Sequence, residues 1–254
     1  MPHNKLFERT RMKPRAAGTT RGPMVLVHGG WHGGWCWKKL TPLLTAAGHT
    51  VYTPTLTGLG DRTHLARPDV NLETHIQDVL AFLEMEDLRD VMLVGHSYAG
   101  FVISAVAERA RPRLRSLVYL DAFVPGDGKS LIDYISQPER RAAMVKSGRA
   151  TGYADPVPLK AFGVTREEDL AWANPRIVRQ SFATFEQPIR LAQPAGSGLP
   201  RAFIACTNPA SGTFDQFVAL IKQDPSWKFY DLPTGHDAMI TAPQELARIL
   251  RDLA

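Results

Sequence analysis

The chain has 254 residues, of which 44% are hydrophobic and 22% charged, enough for one large core but too short for two full domains. No stretch approaches the roughly 18 consecutive apolar residues of a membrane-spanning helix, and residues 1–23 lack the apolar run of a secretory signal, so we expect a cytoplasmic protein with no membrane partner. The net charge of +5 resides in residues 1–22, which carry six basic residues and one acidic residue, and we interpret them as a basic flexible tail with no nucleic-acid partner.

From Pro23 onward, short apolar runs alternate with helical patterns. The apolar runs predict strands at residues 24–27, 50–56, 91–94, 117–120, 203–205 and 228–232. Helical periodicity predicts helices at residues 35–47, 71–86, 101–110 and 243–253. This alternation predicts an α/β fold with a mostly parallel sheet of about six strands, flanked by helices on both faces.

One segment, residues 123–194, interrupts the alternation. It contains no convincing buried strand, many polar residues and several short helix-like pieces. A structureless loop of this length is uncommon in a compact domain. We therefore predict a helical cap over the carboxyl edge of the sheet, inserted into a core that residues 23–122 and 195–254 form.

The strongest motif is GHSYAG at residues 95–100, directly after the predicted strand 91–94. A strand, a tight turn with serine at its apex and a following helix are the context of the Gly-x-Ser-x-Gly nucleophile elbow. Ala99 replaces the last glycine of that pattern, which adds only one methyl group. The motif predicts that Ser97 is a nucleophile and that the Tyr98 amide points into the same space.

A glycine-rich loop, HGGWHGGWCW at residues 28–37, follows the first predicted strand. Negative charge that develops on an acyl oxygen needs two preorganised N–H donors, and we assign this oxyanion hole to the backbone amides of Gly30 and Tyr98. The loop lacks the Gly-Lys-[Ser/Thr] ending and the Gly-x-Gly-x-x-Gly spacing of phosphate-binding loops. We interpret His28 as a buried histidine that pins the loop by hydrogen bonds.

The candidate base lies in GHDAM at residues 235–239, between the last predicted strand and the last helix. A serine hydroxyl is a poor nucleophile until an imidazole accepts its proton. Among the eight histidines, His236 is the one on a loop late enough in the chain to follow both the nucleophile and an acid. We interpret His64 and His75 as surface or loop residues.

Together these motifs resemble the α/β-hydrolase superfamily, and specifically its branch of plant methyl-ester esterases, plant hydroxynitrile lyases and bacterial carboxylesterases that cleave pyrethroid-type esters. The segments that carry the resemblance are residues 28–37, 95–100 and 235–239, and the likeness covers most of 23–254, including LDAFVP at 120–125. The resemblance implies this fold and ester hydrolysis without a cofactor. Substrate remains an analogy, because one fold hosts many reactions.

The third member of the triad is open between two acids. After the strand that ends at Cys206 the chain reads TNPASG, so the acid usual at this place in the fold is missing, and the relatives' aspartate aligns with Pro209. Asp121 directly follows the predicted strand 117–120 and is our candidate, because a carboxylate there could reach the imidazole. The alternative is Asp215, in what looks like the first turn of a helix, where acids are also favoured by the helix dipole.

The sequence therefore predicts a serine carboxylesterase that hydrolyses a hydrophobic or aromatic ester through an acyl-enzyme on Ser97. The aromatic side chains Trp31, Phe123 and Trp172 are predicted to line the substrate pocket, and Tyr98, Tyr134 and Phe162 are further candidates for its wall. We expect a small-molecule ester as the partner and neither a cofactor nor a metal, since no metal-ligand spacing is present. The two cysteines, which lie far apart in the chain, are expected to be small buried residues.

Several other functions are possible on the same sequence. Lactone or carbon–carbon bond hydrolysis would use the same triad. Hydroxynitrile lyases carry a lysine after the catalytic histidine, whereas Asp237 stands there in this chain and its charge would oppose an anion. A non-catalytic ligand receptor would be favoured by loss of a triad member, but Ser97 and His236 are both present. The sequence does not indicate an oligomeric state.

Overall fold

The computed structural model describes residues 22–210 and 212–254, so the predicted basic tail lies outside the described residues except for Gly22. These described residues form eight strands, which are Met24–Val27 (β1), Val51–Tyr52 (β2), Val91–His96 (β3), Leu114–Leu120 (β4), Tyr153–Ala154 (β5), Gln180–Ser181 (β6), Arg201–Cys206 (β7) and Trp227–Leu232 (β8). Six of them form one parallel sheet with the order β2-β1-β3-β4-β7-β8. The predicted parallel sheet is confirmed.

The helices connect these strands and cover both faces of the sheet. The α-helices are Thr41–Ala46 (α1), Leu72–Met85 (α2), Ala99–Arg109 (α3), Pro138–Thr151 (α4), Glu167–Ala173 (α5), Ala183–Glu186 (α6), Asp215–Ile221 (α7), Ala238–Thr241 (α8) and Pro243–Leu253 (α9). Shorter 3-10 helices occupy Gly34–Lys39, Gly60–Leu65, Arg111–Arg113, Leu131–Tyr134, Leu159–Phe162 and Asn174–Arg176. In the described residues, no helix combines the length and apolar character needed to cross a membrane.

The central strands are buried on both faces, which explains their nearly continuous apolar sequences. Along β1, Val25 and Val27 point into one hydrophobic cluster and Met24 and Leu26 into the other. The free cysteines are both buried in the second of these clusters, as expected. The side chains alternate because successive residues of a strand face opposite sides of the sheet.

Two predicted elements are shorter or split in the structure. The predicted helix 35–47 is divided into the 3-10 helix Gly34–Lys39 and α1, which starts beside Pro42. Proline lacks the amide hydrogen that a helix interior requires, so it is tolerated only in the first turn. The predicted strand 50–56 is shorter in the structure. Its observed part, β2, is an edge strand and pairs with β1 only at Val51 and Tyr52.

The segment 123–194 contains the predicted helical pieces, here α4, α5 and α6, but it also contains β5 and β6. These strands form an antiparallel ladder of two residues each, with Ala154 opposite Gln180 and Tyr153 opposite Ser181. The expectation that this segment has no buried strand is therefore wrong, since Gln180 and Ser181 are both buried. A pair of residues is too short to show the alternation by which strands are recognised.

Candidate active site

The serine turn joins β3 to α3. Ser97 has a backbone φ of 54°, a left-handed conformation that is uncommon for a residue with a side chain and is often found at functional sites. A Cβ atom on Gly95 would lie 2.9 Å from the carbonyl oxygen of Ala99, and one on Gly100 would lie 1.9 Å from that of Phe123. The two glycines therefore allow the strand, the helix and the next loop to approach closely around Ser97.

The predicted base and one of the two candidate acids are in direct contact. His236 lies in the loop between β8 and α8, and its Nδ1–H donates to Oδ2 of Asp121 at 2.6 Å. The other carboxylate oxygen, Oδ1, accepts the amide hydrogen of Cys206 at 3.2 Å. Both side chains of the pair are buried. Asp215 is instead exposed at the first position of α7, so the structure brings Asp121 and not Asp215 to the imidazole.

The glycine-rich loop lies against the serine turn. A Cβ atom on Gly29 would lie 3.0 Å from Cβ of Ser97, so the loop approaches the turn without a side chain between them. His28 donates from Nδ1 to the Gly29 carbonyl at 2.8 Å and accepts the Leu56 amide hydrogen at Nε2, 3.1 Å away. Burial lowers the pKa of His28 to about 3, which keeps the ring neutral. The interpretation of His28 as a buried pin of this loop is confirmed.

His75 is fully buried, so its interpretation as a surface or loop residue is wrong, whereas His64 is exposed. The Nδ1 atom of His75 accepts the hydroxyl hydrogen of Tyr98 at 2.9 Å, and its Nε2 donates to the Thr57 carbonyl at 2.9 Å. Burial lowers the pKa of His75 to about 4. The sequence did carry a signal, since residue 75 lies three positions after Leu72 on the apolar face of α2.

A buried charge pair lies beside the base. Nε2 of His32 is 3.4 Å from Oδ2 of Asp237, and Nδ1–H of His32 donates to the Gly30 carbonyl at 2.6 Å. Burial disfavours charge on both groups, yet the pKa of His32 is raised and that of Asp237 is lowered, because each stabilises the opposite charge on the other. Asp237 is fully buried, and its second carboxylate oxygen, Oδ1, lies 3.9 Å from Nε2 of His96.

A second histidine supports the backbone of His236. Nε2–H of His96 donates to the His236 carbonyl at 3.0 Å. Ligand atoms of His96, His236 and Asp237 lie within 4.8 Å of one another, a spacing that a metal ion could bridge. However, this nitrogen of His96 is a hydrogen-bond donor, and Nδ1 of His236 is engaged with Asp121. We therefore interpret His96 as a hydrogen-bonding support of the His236 backbone, with the Asp237 carboxylate, which makes no hydrogen bond within the described part of the chain, beside it.

A cavity of about 180 Å³ opens between the sheet edge and the segment 123–194, and Ser97, Tyr98, Gly30 and His236 all contribute to its wall. Besides Tyr98, six aromatic residues line it, namely Trp31, Phe123, Tyr134, Phe162, Phe185 and Phe214. The rings of Phe162 and Phe214 lie 4.9 and 5.2 Å from the imidazole of His236. The cavity is therefore apolar around the reacting groups and suits a flat or aromatic ligand.

Of the three predicted pocket residues, Trp31 and Phe123 line this cavity and Trp172 lies outside it. The Trp172 ring packs edge-on against Trp35, with ring centres 5.2 Å apart, and the amine of Lys39 is 5.7 Å from its centre. An aromatic residue type gives no indication of the direction in which a short helix presents its side chain. Phe185 and Phe214, which also line the cavity, were not predicted.

Comparisons with known proteins show the family of this chain. Residues 24–249 match the family described as the alpha/beta hydrolase family. A carbendazim hydrolyzing esterase from Nocardioides sp. (strain SG-4G) is 44% identical over 238 residues, which cover 90% of this chain and 98% of that protein. Methylesterase 10 of Arabidopsis thaliana is 26% identical over 256 residues, which cover 91% of this chain and 90% of that protein.

Solved structures share the fold. An extracellular alpha/beta-hydrolase from a Paenibacillus species has a TM-score of 0.79 at 22% identity, with 91% of this chain and 98% of that chain covered. A pyrethroid hydrolase from Sphingobium faniae JZ-2 has a TM-score of 0.67 at 22% identity, with 91% of this chain and 96% of that chain covered. At these identities the likeness concerns the fold alone.

Proposed function

The chain belongs to the alpha/beta hydrolase family, and on this premise we propose that it is a serine carboxylesterase. The hydroxyl oxygen of Ser97 attacks the ester carbonyl carbon while Nε2 of His236 accepts the hydroxyl proton. The tetrahedral intermediate then expels the alcohol, which takes that proton and leaves an acyl group on Ser97. Water, activated by the same imidazole, attacks the acyl-enzyme and releases the acid.

The observation that carries this proposal is the 2.6 Å contact between Asp121 and His236, because His236 lines the same cavity as Ser97. A carboxylate at Nδ1 holds the ring hydrogen on that nitrogen, which leaves Nε2 free to accept the serine proton. Its negative charge also stabilises the imidazolium that forms in the transition state. We propose Asp121 as the third member of the triad.

The backbone amides of Gly30 and Tyr98 are proposed as the oxyanion hole, since both residues line the cavity next to Ser97. The aromatic wall supports a hydrophobic or aromatic ester as substrate. A relative that is 44% identical is named for carbendazim hydrolysis, so carbendazim belongs in the substrate panel beside chromogenic aryl esters. The hydroxynitrile lyase alternative requires a lysine after the catalytic histidine, and this chain has Asp237 at that position.

The test is a pair of serine substitutions in the same cavity. Ser97→Ala should lower kcat for p-nitrophenyl butyrate by on the order of 10⁴-fold or more, because it removes the nucleophile, and it should abolish labelling by a fluorophosphonate probe. Ser136→Ala is the matched control, since Ser136 lines the same cavity and has no role in the proposed reaction. A Ser97→Ala enzyme that keeps most of the wild-type rate would refute the proposal.

A further inference from the structure

The segment 123–194 holds Trp31, the residue after the proposed oxyanion donor, through three hydrogen bonds. The Trp31 amide donates to Oε1 of Gln180 at 2.9 Å, its carbonyl accepts the Val178 amide hydrogen at 3.1 Å, and its indole N–H donates to the Ala154 carbonyl at 3.1 Å. Gln180 and Ala154 face each other in the β5–β6 ladder. Trp31 has a φ of 64°, a conformation that a bulky residue keeps only where its surroundings impose it.

The peptide units on both sides of Gly30 are fixed by side chains. The peptide unit that contains the Gly30 amide also contains the Gly29 carbonyl, which accepts a hydrogen bond from Nδ1 of His28 at 2.8 Å. In the next unit, His32 donates to the Gly30 carbonyl at 2.6 Å and Gln180 accepts from the Trp31 amide at the opposite edge. Glycine has little conformational preference of its own. These neighbouring side chains therefore set the direction of the Gly30 N–H.

The orientation of the Gln180 amide is itself determined. The Thr184 hydroxyl donates its one hydrogen to the Ser181 carbonyl at 2.7 Å, so its oxygen can only accept from Gln180. The Gln180 atom that lies 2.7 Å from the Thr184 oxygen is therefore the amide nitrogen Nε2, and Oε1 consequently points towards the Trp31 amide. Gln180 is 1% exposed, and its oxygen lies only 3.3 Å from where a Cβ atom on Gly30 would stand.

We propose that Gln180 is a positioning residue for the oxyanion hole and that the β5–β6 ladder is thereby part of the catalytic apparatus. The oxygen of Gln180 holds the Gly30–Trp31 peptide from the side opposite His32, so that the Gly30 amide faces the oxyanion in the transition state. This inference rests on the proposed function, in which Gly30 supplies one of the two donors. It adds a requirement for a side chain 149 residues away from Trp31 in the chain.

The test compares two glutamine substitutions in this segment. Gln180→Met removes the acceptor of the Trp31 amide and keeps the length of the side chain. Gln187→Met is the matched control, because Oε1 of Gln187 accepts the Glu73 amide hydrogen at 2.9 Å and so forms the same kind of contact at the start of α2. Active sites are counted by fluorophosphonate titration, and kcat and KM for p-nitrophenyl butyrate are measured per titrated site.

Gln180→Met is expected to lower kcat about 10- to 100-fold, less than the 10²- to 10³-fold cost of deleting an oxyanion donor, with KM within about twofold of wild type. Gln187→Met should leave kcat per site unchanged. A purely structural role would lower the number of titratable sites but not the rate at each site.

Two results would overturn the inference: a wild-type kcat per site in Gln180→Met, or an equal loss in Gln187→Met. If Gln180→Met does not fold, Gln180→Asn takes its place, because it withdraws the amide by one methylene group and the same drop in kcat is expected. Failure of the proposed function is seen separately, as wild-type protein in which the fluorophosphonate does not label Ser97.

Discussion

Replacing Asp121 by asparagine should trap the imidazole of His236 in the wrong tautomer. Asp121 accepts two hydrogen bonds, from Nδ1–H of His236 at 2.6 Å and from the Cys206 amide at 3.2 Å. After the substitution the Cys206 amide still requires an oxygen, so the new NH₂ group faces the imidazole. Because NH₂ is a donor, Nδ1 must accept and the ring hydrogen moves to Nε2, where the ring can no longer accept the proton of Ser97.

The expected loss follows from removing the base without moving the ring. The corresponding change in a Ser-His-Asp protease lowers kcat by about 10⁴-fold, which corresponds to about 5.5 kcal/mol of activation free energy. Asp215→Asn is the control, because this carboxylate is exposed at the first position of α7. It should leave kcat unchanged and lower the free energy of unfolding by at most about 1 kcal/mol through the helix dipole.

The assay is kcat for p-nitrophenyl acetate together with the rate of the acylation burst, on variants whose folding is verified by circular dichroism and urea unfolding. The reasoning is refuted if Asp215→Asn abolishes the burst while Asp121→Asn stays near the wild-type rate.

Two further predictions concern stability. Burial lowers the pKa values of His28 and His75 to about 3 and about 4, so below pH 6.5 the unfolded chain binds more protons than the folded chain. The free energy of unfolding should therefore fall as the pH drops from 6.5 towards 4, by about 1.4 kcal/mol per pH unit for each histidine. Urea unfolding that is independent of pH in this window would contradict this prediction. Asp237→Asn should destabilise the fold by about 3–5 kcal/mol, because it leaves His32 buried without its counterion. The raised pKa of His32 stabilises the fold below pH 6.5, and this contribution is lost as the pH rises through the pKa of the folded state, while the lowered pKa of Asp237 stabilises the fold above pH 3.8. The difference in the free energy of unfolding between variant and wild type, measured in urea, should therefore be larger at pH 5 than at pH 9. Equal differences at the two pH values would argue against the pair.

The sequence predicted the sheet and the motif residues because their signals are local. The residues of each apolar strand, of the Ser97 motif and of the His236 motif lie within ten positions in the sequence. Small residues on both sides of a serine, between a strand and a helix, indicate a tight turn with the serine at its apex. Gln180 gave no such signal, since its partner Trp31 is 149 residues away and a two-residue strand has no periodicity. Trp172 was misplaced because its ring packs on Trp35, a direction that the residue type does not determine.

The position of Asp121 can be explained by the order of the strands. In the sheet, β4 lies between β3, which leads into Ser97, and β7, so an acid at the end of β4 is one strand closer to Ser97 than an acid after β7 would be. The loop after β7 contains no acid in TNPASG, and the end of that strand instead supplies the Cys206 amide, which donates to Asp121. The two neighbouring strand ends thus act together, since β4 provides the carboxylate and β7 provides the N–H group that fixes which of its oxygens faces the imidazole. A carboxylate held in this way can orient His236 from β4 without any acid on β7, which is why the absence of an acid after Cys206 does not argue against a complete triad.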